Sequence, residues 1–149
     1  MSKEVKYIVI HCSATKPSMD IGRKEIDVWH KARGWTGIGY HFVIRRSGTV
    51  EIGRPLNEDH VIDTNEIGAH VAGLNSVSVG VCMVGGVTQL SVDIPESNFT
   101  PEQWTQLNLL IGNLERQFPN AQVVGHRELD KGKACPSFDV QEWKKTRGG

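Results

Sequence analysis

The feature that most constrains the fold is an apolar run near the amino terminus, VKYIVIHC, at residues 5–12. A run of this length and composition is typical of a β-strand that is buried on both faces. A second run rich in β-branched residues, SVSVGVCMV, covers residues 76–84 and is closed by Gly85 and Gly86. The two runs predict a sheet whose faces are both covered by other elements.

Helical spacing of the apolar residues marks two further segments. Residues 23–33 place apolar groups and a histidine at i, i+3 and i+4 spacing, and Gly34 is suited to end that helix. The clearest helix follows Thr100, a natural N-cap, with Pro101 at the first helical position and Gln103 completing a capping box. Six apolar residues then form one stripe: Trp104, Leu107, Leu110, Ile111, Leu114 and Phe118.

The remaining segments complete one α/β domain. Residues 40–54 read as a hairpin, AQVVGH at 121–126 as a short strand, and FDVQEWKK at 138–145 as one or two helical turns. Residues 55–66 suggest a loop with a short turn of helix, and residues 87–99 a surface excursion. The order β–α–β–β–β–α–β–α predicts a single domain with a mixed central β-sheet flanked by helices.

The charge balance excludes recognition by a broad electrostatic surface. The chain has 17 lysines and arginines against 17 aspartates and glutamates among its 149 residues, so its formal net charge is zero. Nucleic-acid binders usually have an excess of basic residues, and proteins attracted to an anionic membrane have a similar excess. We therefore expect recognition through a shaped site, with no nucleic-acid partner and no membrane insertion.

The amino terminus and the cysteines bear on the cellular compartment. The apolar run at residues 7–10 is too short for the core of a signal peptide or for a membrane span, so we expect synthesis in the cytoplasm. Three cysteines in such a chain argue against a disulfide framework. Cys12 and Cys82 lie in apolar strands and are expected to be buried, whereas Cys135 lies in a polar stretch that contains glycine.

Two histidines and one cysteine form a candidate metal site. His11 and His126 each end an apolar strand, and Cys135 follows the second by nine residues. Imidazole and thiolate are preferred zinc ligands, and three protein ligands leave a fourth position for water. A structural zinc site would require a further ligand at local spacing, such as a second Cys-x-x-Cys pair. The spacing alone does not decide between a metal site formed by these three residues and histidines that have separate structural roles.

Lys133 and Tyr40 are candidate catalytic residues beside that site. An extended backbone in KAC places Lys133 and Cys135 on one side, and Pro136 favours extended backbone before it. The ammonium would then stabilise negative charge on a reacting oxygen, although a solvated surface lysine is the commoner case. Tyr40 opens a strand, where it either packs in the core or presents its phenol to a cleft, and His41 should face the opposite side.

Five motifs occur in an order that matches a known family. They are HCSAT, WHKARGWTGIGYHFVIRRSGTVEIGR, GAHVAGLNSVSVGVCMVGG, FTPEQW and GHRELDKGKACPSFD. Together they resemble the zinc-dependent N-acetylmuramoyl-L-alanine amidases of the type 2 class. That class includes phage lysozymes of the T7 kind, bacterial amidases and animal peptidoglycan-recognition proteins. The resemblance runs over about residues 6–143 and is greatest with short single-domain phage endolysins.

The resemblance implies that residues 1–149 form one amidase domain in which zinc activates a water to cleave the amide between N-acetylmuramic acid and L-alanine. The implied ligands of one Zn²⁺ ion are His11, His126 and Cys135. The implied catalytic residues are Tyr40 and Lys133. The residues implied to contact the muramyl-peptide are His70, Asn75, His30 and Trp35.

Some features depart from the family pattern or leave other functions open. The stretch between His126 and Cys135 is about one residue longer than in the phage relative, and residues 56–67 and 87–98 diverge. We expect a monomer that acts on peptidoglycan and reaches the cell wall through a separate pore or by lysis. The alternatives are a non-catalytic peptidoglycan-binding module on the same fold and a cysteine hydrolase that uses Cys135 as nucleophile.

Overall fold

The computed structural model describes residues 3–35, 37–56, 61–62, 67–71 and 73–146. The strands are β1 (Lys3–Glu4), β2 (Tyr7–Cys12), β3 (Phe42–Ile44), β4 (Val50–Ile52), β5 (Val61–Ile62), β6 (Ser78–Met83) and β7 (Gln122–Gly125). The helices are α1 (Arg23–Ala32), α2 (Pro101–Gln117), α3 (His126–Leu129) and α4 (Val140–Thr146), with a 3-10 helix at Asn75–Val77. No helix among the described residues is long and apolar enough to cross a bilayer.

A mixed five-stranded sheet with the order β4-β3-β6-β2-β7 forms the centre of the fold. Strand β2 runs parallel to both β6 and β7, and β3 runs parallel to β6 and antiparallel to β4. The residues of β6 are all buried, as are those of β2 after its first residue. The prediction of a mixed central sheet flanked by helices is therefore confirmed.

The two faces of β2 contact different layers because successive side chains of a strand point to opposite faces. Ile8, Ile10 and Cys12 join the large core that contains Leu107 and Ile111 of α2. Val9 packs on the other face, and His11 shares that face by alternation. The helix α1 packs on the same side, where Ile26 meets Val43 and Cys82. The sequence alternation of β2 thus directs His11 away from the α2 core.

Helix α1 agrees with the predicted segment, except that the side chain of Trp29 is exposed. It ends at Ala32, and Gly34 follows with a φ of +91°, a conformation that glycine adopts without strain. His30 is buried as its spacing predicted, but Trp29 is 41% exposed. The buried face is therefore narrower than the pattern indicated.

Helix α2 begins with the capping box that the sequence predicted. The Thr100 hydroxyl oxygen accepts the Gln103 backbone N–H at 3.1 Å, and the Gln103 side chain accepts the Thr100 N–H at 2.9 Å. The Thr100 hydroxyl also donates to the Arg46 carbonyl at 2.7 Å, which ties the helix start to the end of β3. This one side chain thus satisfies a helix donor and links two elements.

We expect Thr100→Ala to lower the free energy of unfolding by about 1–2 kcal/mol, since the loss of an N-cap typically costs this much. Thr105→Ala is the matched control, because Thr105 is an exposed threonine of the same helix whose hydroxyl donates to its own helix at Pro101. The control should change stability by less than about 0.5 kcal/mol. Urea denaturation of the two variants measures the difference, and equal values for both would refute the capping role.

Two elements differ from the sequence expectation. Within residues 55–66, where a loop was expected, β5 pairs antiparallel with β1, while the predicted helical turn lies outside the described residues. His126 was expected to end its strand, but it is the first residue of the four-residue helix α3. The surface excursion at 87–99 is confirmed by Leu90, which is 92% exposed, although its ends at Val87 and Phe99 are buried.

Candidate active site

Two parallel strands bring His11 and His126 together. Ile10 of β2 is paired with Gly125, the last residue of β7, so the next residues of the two strands meet at the same edge of the sheet. His11 and His126 are these next residues, and their ring centroids lie 4.5 Å apart. The adjacency of the two histidines therefore follows from the parallel register.

Cys135 reaches the same edge through the loop that follows α3. Its carbonyl accepts the Arg127 N–H at 2.8 Å, and its sulfur accepts the Cys12 backbone N–H at 3.0 Å. The side-chain ligand atoms of His11, His126 and Cys135 all lie within 4.8 Å of one another. Among the described residues, this is the one such group of three side chains that could hold a metal ion.

The donor set fits zinc. Zinc holds nitrogen at about 2.0–2.1 Å and sulfur at about 2.3 Å in a tetrahedron, so two ligands of one ion lie about 3.5 Å apart. The ligand atoms of the three side chains lie within 4.8 Å of one another, so binding an ion would draw them closer together. Burial lowers the pKa of His11 and His126, so both imidazoles are neutral, as metal ligands must be. The hydrogen bond with Cys12 and burial raise the pKa of the Cys135 thiol, which a bound cation would reverse.

His70 is a buried residue beside His11 at the edge of the cleft. Its Nδ1 is 2.9 Å from His11 Nε2, and its Nε2 is 3.2 Å from the Ser78 hydroxyl. Burial lowers the pKa of His70 to about 3, so its ring is neutral. Asn75 accepts the backbone N–H groups of His70 and Val71 on its Oδ1 at 2.9 and 2.8 Å. Both residues line the cleft, yet these atoms are engaged within the protein.

Tyr40 lies against the histidines on the other side. Its ring centroid is 5.1 Å from that of His11 and 5.5 Å from that of His30. Burial raises the pKa of Tyr40 well above its usual value, so the phenol keeps its proton and serves as a hydrogen-bond donor. The buried His41 ring lies 5.7 Å from the His70 ring between centroids, and its Nδ1 accepts the Gly80 N–H at 3.0 Å. Both residues precede β3, so strand alternation does not apply to them, and of the two only Tyr40 is in the described lining of the cleft.

Lys133 lies at the rim of the same cleft as Cys135. A turn precedes it, in which the Lys133 N–H donates to the Asp130 carbonyl at 3.0 Å and the Gly132 N–H donates to Asp130 Oδ1 at 3.1 Å. Lys133 is exposed, and both it and Asp130 line the cleft. The longer loop thus forms a closed turn that leaves Lys133 beside the candidate metal site.

The cleft has a volume of about 630 Å³. Its far wall contains His30 and Trp35, whose rings lie 4.6 Å apart between centroids. The His30 Nδ1 accepts the Gly39 N–H at 2.8 Å, which fixes the ring. The structure therefore places all nine site residues expected from the sequence in the lining of one cleft.

Among the cleft residues that were not anticipated from the sequence, Arg33 and Cys12 contact predicted site residues. Arg33 lines the wall with its guanidinium carbon 4.8 Å from the centroid of the Trp35 ring. Its position at the end of α1, two residues before Trp35, could have indicated that it lies at the cleft wall. Cys12 also lines the cleft, and its backbone N–H holds the sulfur of Cys135. The sequence of its apolar strand did not indicate that the Cys12 backbone contacts Cys135, although the burial of Cys12 was predicted correctly.

Comparison with known proteins gives consistent matches. Residues 1–138 match the family described as N-acetylmuramoyl-L-alanine amidase. The chain is 48% identical over 144 residues to an endolysin of Enterobacteria phage K11, which covers 97% of this chain and 88% of the relative. It is 44% identical over 136 residues to an endolysin of Escherichia phage T7, which covers 91% of this chain and 83% of the relative.

A solved structure has a similar fold. The endolysin N-acetylmuramoyl-L-alanine amidase LysCS from Clostridium intestinale URNW superposes with a TM-score of 0.76 at 30% sequence identity. The match covers 95% of this chain and 82% of that chain.

Proposed function

The chain belongs to the N-acetylmuramoyl-L-alanine amidase family, and on that premise we propose that its cleft hydrolyses the amide between N-acetylmuramic acid and L-alanine in peptidoglycan. The family membership agrees with the resemblance that the five ordered motifs indicated. Its phage relatives are endolysins, so the protein is a peptidoglycan hydrolase of the phage-lysis kind that acts on the cell wall.

The observation that carries the proposal is the cluster of His11, His126 and Cys135, with ligand atoms within 4.8 Å of one another inside the cleft. These three side chains would hold one Zn²⁺ ion. When bound, zinc supplies Lewis-acid chemistry, which polarises a carbonyl and makes water a nucleophile near neutral pH. The Cys12 N–H favours the thiolate of Cys135 because it donates a hydrogen bond to the sulfur at 3.0 Å.

Tyr40 and Lys133 act on the charge that develops at the scissile carbonyl. The protonated phenol of Tyr40 lies beside His11 and donates a hydrogen bond to the carbonyl oxygen. The ammonium of Lys133 at the cleft rim stabilises the negative charge on the same oxygen. The Tyr40 ring packs against His11 and His30, and the turn at Asp130 fixes the backbone of Lys133.

The muramyl-peptide lies along the cleft between the metal ligands and the wall of His30 and Trp35. The aromatic wall offers an apolar face to the sugar and peptide. Asn75 and His70 border the same space, where the remaining surface of each contacts the substrate. We propose that residues 1–149 act as a single amidase domain and as a monomer.

The two alternative functions are less well supported. A non-catalytic module on this fold would lack a metal ligand or a catalytic group, whereas His11, His126, Cys135, Tyr40 and Lys133 are all present. A cysteine hydrolase commonly activates its thiol at the start of a helix, whereas Cys135 is followed by a turn and α4 begins only at Val140. The metal-dependent function is therefore preferred.

Chelation separates the zinc enzyme from the cysteine hydrolase. We expect dipicolinate treatment followed by its removal to abolish lysis of purified peptidoglycan, and one equivalent of Zn²⁺ to restore it, because the three ligands create a single site. The decrease of turbidity with time is the measurement. Full activity of a preparation shown to be zinc-free would refute the metal-dependent function.

A further inference from the structure

A chain of hydrogen-bonded groups leads from His11 through His70 and Ser78 to the Leu74 carbonyl. His11 Nε2 lies 2.9 Å from His70 Nδ1, and His70 Nε2 lies 3.2 Å from the Ser78 hydroxyl oxygen. The Ser78 hydroxyl in turn donates to the Leu74 carbonyl at 2.8 Å. His11, His70 and Ser78 are all buried. The chain therefore connects a proposed zinc ligand to a backbone acceptor through two buried side chains.

The direction of each hydrogen bond follows from the number of protons available. A serine hydroxyl has one proton, and that of Ser78 goes to the Leu74 carbonyl, so its oxygen accepts from His70 Nε2–H. A neutral imidazole has one N–H, which leaves His70 Nδ1 as an acceptor for His11 Nε2–H. An imidazole that binds a metal is neutral, so His11 likewise has one N–H. His11 then carries its lone pair on Nδ1.

The backbone around His70 is shaped to hold the ring in this orientation. A Cβ atom added at Gly80 would lie 2.8 Å from His70 Cγ and 2.9 Å from Nδ1, so only glycine leaves room for the ring at this point of β6. Asn75 fixes the backbone from the other side through the N–H groups of His70 and Val71. The orientation of His70 is thus set by space and by hydrogen bonds.

We propose that His70 is a positioning residue, which with Ser78 fixes His11 as the Nε2–H tautomer and presents His11 Nδ1 to the metal. The inference rests on the proposed zinc site and assigns to His70 a role beyond substrate contact. An imidazole relay here takes the place of the carboxylate or carbonyl that commonly orients a histidine ligand.

The test measures zinc affinity by competition with a chromophoric chelator. We expect His70→Leu to weaken zinc binding by about 10–100-fold, the usual effect of losing such a partner. His70→Asn offers a carbonyl oxygen near the position of Nδ1 and should recover most of the affinity. Ser78→Ala, which frees the His70 tautomer, should lie between His70→Leu and the wild type. Gly80→Ala keeps every polar group but displaces the ring, and it should also weaken zinc binding.

Nitrogen NMR of the histidine rings reports which ring nitrogen carries the proton. A purely structural role of His70 would not change this protonation pattern. In wild-type protein His11 should carry its proton on Nε2, and in Ser78→Ala the two tautomers of His70 should mix. Thermal unfolding of the zinc-free variants controls for folding. If His70→Leu does not fold, Ser78→Ala and Gly80→Ala still decide the question.

Two results would overturn the inference. If the folded variants bound zinc with wild-type affinity but had a raised KM, His70 would be a substrate contact only. A proton on Nδ1 of His11 would reverse the direction of the relay. Failure of the wild-type protein itself to bind zinc would instead refute the proposed function, and with it the inference that depends on it.

Discussion

Cys135→Ser should remove stoichiometric zinc and lower the rate of peptidoglycan hydrolysis by about 10³-fold or more. A Lewis acid contributes several kcal/mol to the transition state, and each 1.4 kcal/mol corresponds to about tenfold in rate. Serine preserves the shape of the side chain but is a poor zinc ligand near neutral pH, so His11 and His126 alone would hold the ion weakly. Metal analysis after gel filtration, together with the turbidity assay, measures both effects.

Cys82→Ala is the matched control for this substitution. Cys82 is a second buried cysteine, located on β6 beside β2, and it is not part of the ligand cluster. Its replacement leaves a small cavity and should retain one zinc ion per chain. If Cys135→Ser also retained one zinc ion per chain at wild-type affinity, the assignment of the ligands would be wrong.

The second large effect is expected for Lys133→Ala. Loss of one group that stabilises a developing oxyanion typically lowers kcat by about 10²–10³-fold. Zinc content should not change, because the ligand atoms belong to other side chains. Steady-state rates on purified peptidoglycan, with zinc analysis of the same samples, give the comparison.

Lys131→Ala controls for the loss of a positive charge from this loop. Lys131 is exposed in the same turn, but it does not line the cleft among the described residues. Its replacement should leave kcat within about twofold, since exposed charges contribute little at this distance. Nearly full activity of Lys133→Ala, or an equal loss in both variants, would remove Lys133 from its proposed role.

The part of the site that lies on regular strands could be predicted from the sequence. An apolar strand followed by a histidine occurs at His11 and again at His126, and parallel strands carry their ends to one edge of a sheet. These relations depend on local geometry that repeats in every sheet, so spacing was sufficient to suggest them.

The remaining part depends on tertiary contacts that spacing does not encode. The return of Cys135 to the Cys12 N–H spans 123 positions and is fixed by the loop after α3. The short pairing of β1 with β5 has too few residues to show a pattern. The contact of His70 with His11 requires the space above Gly80, which only the packed structure reveals. Of these features, the family resemblance supplied only the place of Cys135 in the site.

Mass spectrometry of the soluble products from purified peptidoglycan tests the central claim most directly. The zinc-loaded protein should release stem peptides that begin with a free L-alanine amino group and leave the glycan strands uncut. Disaccharides that still carry their peptide stems would contradict the proposed cleavage of the muramoyl–alanine amide by the cleft of His11, His126 and Cys135.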